Sequence, residues 1–369
     1  MNVPFRRPVR KGPLLGLSLR ALLSLAVVTC TGPSLTQEPV RARQVYVGAD
    51  KCAQCHSDIV KIHAVSDHAQ TLRRVERIPE LLTQVPLSFR DQVHQVDYRL
   101  EKSADERVGF DLIASKGGQT ERLQLIWGLG AGRKGITFIG RDSSGKYGES
   151  RVSWYQRIRL LDITTGAEFS KPNTAHEALA GWLDSNERQT CFSCHVTHQA
   201  DAIPEEIQQT SAGVQCERCH GPGSGHIEAV SQGKESVAGL ILNPGKLNAS
   251  DQLNYCGQCH RAPSANLGQV MTDKSTIRFP AQRLVLSRCY DESAGRLKCT
   301  TCHNPHENLP ESLSAYDPKC LSCHDGKAAI GSPCPAAKNN CVSCHMPVKP
   351  LMKHSEFADH WIRRIRAAK

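Results

Sequence analysis

Seven times along the chain, two cysteines stand three positions apart with a histidine directly after the second. The units are Cys52, Cys55 and His56; Cys191, Cys194 and His195; Cys216, Cys219 and His220; Cys256, Cys259 and His260; Cys299, Cys302 and His303; Cys320, Cys323 and His324; and Cys341, Cys344 and His345. The two thiols of such a unit add to the two vinyl groups on one porphyrin edge, and the adjacent imidazole then reaches the iron. This is the attachment signature of c-type haem. Zinc ribbons pair cysteines at the same spacing but do not need a histidine directly after the second. Thioredoxin-like sites use one pair rather than seven. The pattern predicts seven covalently bound haem c groups, with these cysteines as thioether sites and these histidines as proximal iron ligands.

The elements that position them read as follows. Only 39% of residues are hydrophobic and 5% aromatic, with 28 Gly and 20 Pro. A buried macrocycle replaces aliphatic side chains, which accounts for the thin apolar content. The expected fold is mainly short α-helices and irregular loops wrapped around stacked haems, with an inserted antiparallel β-meander. Five short alternating runs across residues 96–155 predict the strands of that meander, separated by Gly-rich turns; its expected role is to cover one flank of the haem stack. The Gly128–Gly132 stretch lacks the third glycine and the following helix of a dinucleotide loop. Periodicity predicts a helix over residues 57–77 and a last basic helix over 356–368. The expected organisation is a signal peptide over 1–30, an N-terminal one-haem segment over 31–95, a β-rich insert over 96–170 and a six-haem domain over 171–369.

Residues 1–30 carry Arg6, Arg7, Arg10 and Lys11 ahead of a short, interrupted apolar stretch. That is the form of a Sec-type signal peptide, and it predicts a periplasmic or otherwise exported protein. Cys30 is a poor fit to a lipidation site. The formal charge of +10 falls to +5 without the five basic residues of this segment. No Lys/Arg run remains that suits nucleic acid. Two propionates on each haem would bring the balance to about −2 in the ferric state.

Nine histidines lie outside the seven units: His63, His68, His94, His176, His198, His226, His306, His354 and His360. Seven six-coordinate irons need seven further ligands, so the supply permits bis-histidine ligation throughout. His306 follows His303 by three residues, and His226 follows His220 by six. So short a tether cannot pass around the macrocycle to its opposite face. Each, as a ligand, must serve a neighbouring haem, and His198 has the same geometry after His195.

The chain also resembles multihaem cytochromes c of the cytochrome c-552/4 kind. The carrying residues are Tyr46-Val47-Gly48 through Cys52, then Ser66-Asp67-His68-Ala69; Cys216 to His226 with Gly221-Pro222-Gly223-Ser224 between; Cys299 to His306; and Cys341 to Pro347 with His354 and Phe357-Ala358-Asp359-His360. The resemblance implies His68, His226, His306, His354 and His360 as distal iron ligands. His94 and His176 are the remaining candidates. The family pattern offers no place to His63 or His198, which are read as surface residues or residues behind a ligand. Cys289 and Cys334 are left over in an oxidising compartment, where a disulfide between them is the simplest account.

The resulting expectation is an exported heptahaem cytochrome that carries electrons between redox partners. A quinol dehydrogenase, other cytochromes or a terminal reductase would serve as partners, with membrane association through them. The alternative is an oxidoreductase acting on a small nitrogen or sulfur compound at one five-coordinate haem, which arises if His94 or His176 is not a ligand.

Overall fold

The computed structural model describes residues 44–365, except 105–108, 199–206, 208–209, 235–238, 327–332 and 336–337. The signal segment and Cys30 lie outside the described residues.

Alternation of apolar and polar residues sets the dominant element. In the strand Val96–Lys102, Val96, Tyr98 and Leu100 are buried while Asp97 and Arg99 are exposed. The same alternation continues into a nine-stranded antiparallel sheet. Its main path runs β2 (Leu87–Asp91), β3 (Val96–Lys102), β4 (Phe110–Lys116), β5 (Gln119–Leu129), β6 (Gly135–Arg141), β7 (Tyr147–Tyr155) and β8 (Leu160–Ile163). Off this path, β1 (Leu72–Arg74) pairs with β5, and β9 (Ala180–Trp182) pairs with β7. The end strands β2 and β8 approach each other, so the sheet forms a nearly closed barrel.

This corrects the expectation of a mainly helical molecule with a minor inserted meander. Five strands do lie over the five alternating runs. The sheet also recruits β1 and β2 from before residue 96 and β9 from after residue 170. The reason is core volume. Tyr98, Leu100, Phe110, Leu112, Leu123, Phe138 and Trp154 are all about fully buried in one cluster on the barrel's inner face. A flat meander would leave that face in water. The helix Ala175–Leu179 helps close the core through Ala178 and Leu179, and Tyr98 Oη donates to the Ala178 carbonyl at 2.8 Å.

A second, outward cluster joins the barrel to the rest of the chain. The β5–β6 ladder shifts register between Leu125 and Trp127. An extra residue there turns the strand's facing, so Leu125 belongs to the inner cluster and Trp127 to the outer one with Leu72, Ile139, Phe192 and Val196. The glycine-rich stretch after it is the β5–β6 turn. A Cβ at Gly128 would come within 2.5 Å of Ile78 Cδ1, and Gly130 has φ +106 with the Gly135 carbonyl 2.5 Å from a Cβ position.

The helices are short. The first, Ala49–Ala64, is two helical pieces joined at a kink at His56, whose φ −117 and ψ 38 are not helical; the predicted helix begins at residue 57 as expected but ends at Ala64, well before residue 77, because the chain enters β1 at Leu72. The predicted basic helix near the C-terminus is instead a hairpin of β10 (Val348–Met352) and β11 (Ser355–Ala358), followed by an irregular strap through residue 365. The hairpin docks on the barrel. Lys353 pairs with Asp162 at 2.5 Å, Lys134 donates to the Glu356 carbonyl at 2.6 Å, and its ammonium lies 4.8 Å from the Phe357 ring centroid. Among the described residues no helix is long and apolar enough to cross a membrane.

Trp154 fills the barrel core at 0% exposure and donates through Nε1 to Gln84. Trp154→Ala is expected to destabilise the protein by about 3–5 kcal/mol, read as a lowered denaturation midpoint at unchanged slope. An unchanged midpoint would show that the barrel does not pack as described.

Candidate functional site

A spacing of three places both cysteines of a unit on one face of a helical turn. Each unit lies in or at the end of a helix: Ala49–Ala64, Ser185–Ser193, Cys216–His220, Ala249–His260, Cys299–Cys302, Asp317–His324 and Cys341–His345. Residues between the cysteines, read in the sequence only as spacers, anchor the units to each other and to the barrel. Phe192, between Cys191 and Cys194, is fully buried in the outer barrel cluster. Glu217, between Cys216 and Cys219, is buried and accepts from the amides of Val47, Gly48 and Gly223 at 2.8 Å each. Arg218 beside it donates to the Ser193 carbonyl at 3.0 Å and to Cys259 Sγ at 3.8 Å. Thr300, between Cys299 and Cys302, bonds Gln252 one turn before Cys256. Asp317 accepts from the amides of Asn340 and Cys341 at 2.8 Å and so joins the last two units.

The sulfurs of different units meet. Cys52 hydrogen-bonds Cys216, which, followed by burial, pushes the Cys52 thiol well up. Cys194 pairs with Cys259, and that bond holds Cys194 down to about 5. Cys256 pairs with Cys299, which holds Cys256 down to about 7. Cys320 interacts with Cys341, whose thiol is pushed up to about 12, by burial first. Cys302 feels the charge of Cys323, and Cys219 that of Cys256. In attached haem these sulfurs are thioethers, so what carries over is their proximity rather than their proton chemistry.

The histidines fall into two sets. In the first, imidazoles face each other. Ring centroids lie 6.1 Å apart for His220 and His306, with planes 2° apart; 6.1 Å for His260 and His68; and 6.2 Å for His303 and His360. Two imidazoles on opposite sides of one metal, with metal–nitrogen bonds of about 2 Å, have centroids about 6 Å apart. The residues present therefore fit iron held between each pair. Their Nδ1 atoms are engaged as axial ligands require: His220 with the Leu242 carbonyl at 2.7 Å, His68 with that of Pro305 at 3.1 Å, His360 with that of Ala358 at 3.1 Å. Such bonds orient the ring and raise its basicity at Nε2. His195 bonds the Thr71 carbonyl at 3.0 Å just before β1, and His345 that of Arg363 at 3.1 Å. Burial first, then neighbouring His303, holds His360 down to about 4, and burial lowers His195, His260, His303 and His306 as well. A ligating imidazole must be neutral. His226 Nδ1 is buried without a hydrogen-bond partner.

The second set belongs to the barrel. His94 Nδ1 meets Asp91 at 2.8 Å, His176 Nε2 meets Asp142 at 3.2 Å and stacks on Trp182, and His354 Nε2 meets Asp162 at 2.8 Å beside Tyr155. His63, for which the sequence offered no role, is buried, 6.2 Å from the His306 ring. Burial, followed by His306, His68 and His220, lowers it to about 4. The signal that could have found it is its place on the first helix, two turns after His56. His198 stands with its ring centroid 3.7 Å from that of Tyr46. Cys289 lies near the charges of Cys302 and Cys323 rather than in an isolated loop, and Cys334 is partly buried.

Phe192→Ala is expected to cost about 3–5 kcal/mol and to release the second unit from the barrel, read by intact mass as a fraction of chains lacking one haem. Full occupancy would show that the barrel does not position that unit. Asp142 supplies a pH test. Burial pushes its carboxyl up, but bonds from Ser144 and His176 outweigh this and hold it down at about 2. A depressed folded value stabilises above the ordinary carboxylate pKa of about 4, and the contribution is lost as pH falls toward the folded value. Asp142→Asn should therefore be less stable than the parent at pH 7, with the gap closing between about pH 4 and pH 2. A gap that persists to the lower limit excludes the charge as its origin.

Residues 153–221, from the end of β7 through the second and third units, match the family described as cytochrome c554 and c-prime. No curated protein matches the chain. The crystal structure of the outer cell wall cytochrome OcwA aligns with a TM-score of 0.48 and 16% identity, over 86% of this chain and 79% of that one. Over residues 153–221 the chain is similar to cytochromes c554 and c-prime, and that match supports its reading as a c-type cytochrome.

Proposed function

We propose that the chain is an exported heptahaem cytochrome that carries electrons between redox partner proteins of a respiratory chain. The observation that carries this reading is the continuity of the attachment units. Sulfur hydrogen bonds join the unit of Cys52 to that of Cys216, Cys256 to Cys299 and Cys320 to Cys341, and the unit of Cys191 branches from that of Cys259; between these, Cys219 lies within electrostatic reach of Cys256 and Cys302 within that of Cys323. Bound haem supplies one-electron redox chemistry. The chain's own residues hold neighbouring attachment units close. Cys55, Cys259 and Cys344 are exposed, so the two terminal units and a middle one each offer an accessible edge to a redox partner. A cytochrome c is an exported protein, in line with a signal peptide over residues 1–30. The Cys289–Cys334 disulfide stays part of the proposal, read by mass after alkylation without reductant.

For the distal ligands we assign His68 to the iron of His260, His306 to that of His220 and His360 to that of His303. The second agrees with the tether argument, since His306 serves a unit other than its own. His226 we keep as a further ligand on the family resemblance alone, since its buried Nδ1 lacks the hydrogen bond that the other candidates make. His94, His176 and His354 we assign to the barrel carboxylates that hold them. Six histidines then remain for seven irons. That observation favours a second reading, in which one iron is not bis-histidine ligated and offers a reactive site.

Intact mass of the exported protein should show seven haems, and paramagnetic resonance of the ferric state should show mostly low-spin irons. Reduction should spread over a wide potential range, because each added electron opposes the next. Fewer than seven haems in protein from a competent attachment system refutes the heptahaem reading. One high-spin iron that binds nitrite or hydroxylamine rapidly and turns it over decides for the enzyme.

A further inference from the structure

The strap after β11 contains a buried carboxylate that the proposed ligand set does not use. Asp359 is 0% exposed. It accepts from Arg283 Nε at 2.9 Å and Nη2 at 2.8 Å, from Arg363 Nη1 at 2.9 Å and from the Trp361 amide at 3.0 Å. Arg283 is itself 3% exposed and also donates to the Val270 carbonyl at 2.6 Å. The Trp361 ring lies 4.2 Å from the Arg363 guanidinium carbon and 5.2 Å from that of Arg283. The next helix adds Ser287, which donates to the His360 carbonyl at 3.0 Å and accepts from the Ile362 amide at 2.8 Å.

Two candidate axial imidazoles hang on these five residues. His360 directly follows Asp359 and faces His303. The carbonyl of Arg363 holds Nδ1 of His345, and the Arg363 amide donates to the His345 carbonyl at 3.2 Å. The Asp359 amide donates to the Pro347 carbonyl just after that unit at 3.1 Å. A buried ion pair is weak evidence for stability, since an apolar replacement often serves as well. What a bidentate arginine–carboxylate pair supplies is direction, because its two parallel bonds fix both groups in one plane.

We infer that Asp359, clamped by Arg283, is a positioning residue for the axial ligands of two haems, setting His360 over the iron of His303 and the Arg363 carbonyl on His345. The inference rests on the haem-binding reading above. Loss of the clamp frees His360 to leave its iron. It also weakens the carbonyl contact that makes His345 a stronger donor, so the last haem becomes easier to reduce.

The test uses the purified, fully loaded protein with His360→Ala, Asp359→Ala, Asp359→Asn and the double variant Asp359→Ala/His360→Ala. Haem content is read by mass, spin state by paramagnetic resonance and potentials by titration. His360→Ala should convert about one haem per chain to high spin. Asp359→Ala should convert a substantial fraction of the same haem and move a second component of the titration to higher potential, with no haem lost. Asp359→Asn, which keeps the shape and removes the charge, should show the same changes to a smaller degree and stands in if the alanine variant does not fold. The double variant should show no more high-spin haem than His360→Ala alone. Normal spin state and titration in both Asp359 variants, with His360→Ala effective, overturn the positioning role and leave the ligand assignment standing. Additional high-spin irons in the double variant overturn it in favour of general loosening. A silent His360→Ala overturns the ligand assignment itself, and the inference with it.

Discussion

A pair of sulfurs three residues apart, with an imidazole directly behind, has to sit on a single helical turn, and the rest of the molecule depends on holding seven such turns side by side. Each turn is too short to be stable alone, and each offers few apolar residues. The chain therefore ties the turns together with polar cross-links from positions between the cysteines and, in the sixth unit, just before them. Glu217 gathers three amides from two segments, Arg218 reaches a second and a fourth unit, and Asp317 caps the last unit from the preceding helix. Buried carboxylates and guanidinium groups do here what aliphatic packing does in an ordinary core. They also fix direction, which the proposed row of haems would need more than bulk stability.

The barrel is the complementary solution. Most of the buried large apolar side chains among the described residues lie there, in one inner cluster and one outward patch, with a smaller cluster around Leu253, Ala281 and Leu284 elsewhere. Phe192 plugs the outward patch from within the second unit, and the backbone before β1 holds His195. The barrel thus supplies a rigid wall that fixes one unit, from which the polar cross-links carry position to the others. The docked hairpin ties the wall to the far end of the row through Asp162, Lys353 and His354.

How much of this is legible in the sequence follows from where the signal is repetitive. The attachment units can be read outright, and the strands from residue 96 to 155 show clear alternation. Closure of the sheet cannot be read. β1 and β9 have three residues each, too few for any period, and β2 and β8 are found only by the partners they meet. The predicted helix from residue 57 starts at the His56 kink as read, but it stops at Ala64, because the chain has to reach the β1 edge at Leu72. The expected basic helix at the end fails for a different reason. Asp359 and Arg363 lie one helical turn apart, which is equally the spacing of a solvated ion pair, and only the fold reveals that the buried Arg283 shares the same carboxylate.

The distal histidines show the same limit. A resemblance carried by a few residues per segment fixes His68, His306 and His360 on rings that face proximal ones, yet it treats His354 alike, and the structure gives that ring to a carboxylate. Spacing along the chain cannot separate the two cases, because both place a histidine in a turn near a unit. What separates them is which nitrogen is engaged. A carbonyl on Nδ1 leaves Nε2 for a metal, as in His68 and His360; a carboxylate on Nε2, as in His176 and His354, takes that nitrogen away. His94 keeps Nε2 but is held by Asp91 at the barrel's β2–β3 turn, beside the buried Arg151. Under the proposed seven-haem reading, three histidines held by barrel carboxylates leave six imidazoles for seven distal positions, and the question of carrier against catalyst becomes one of ligand supply.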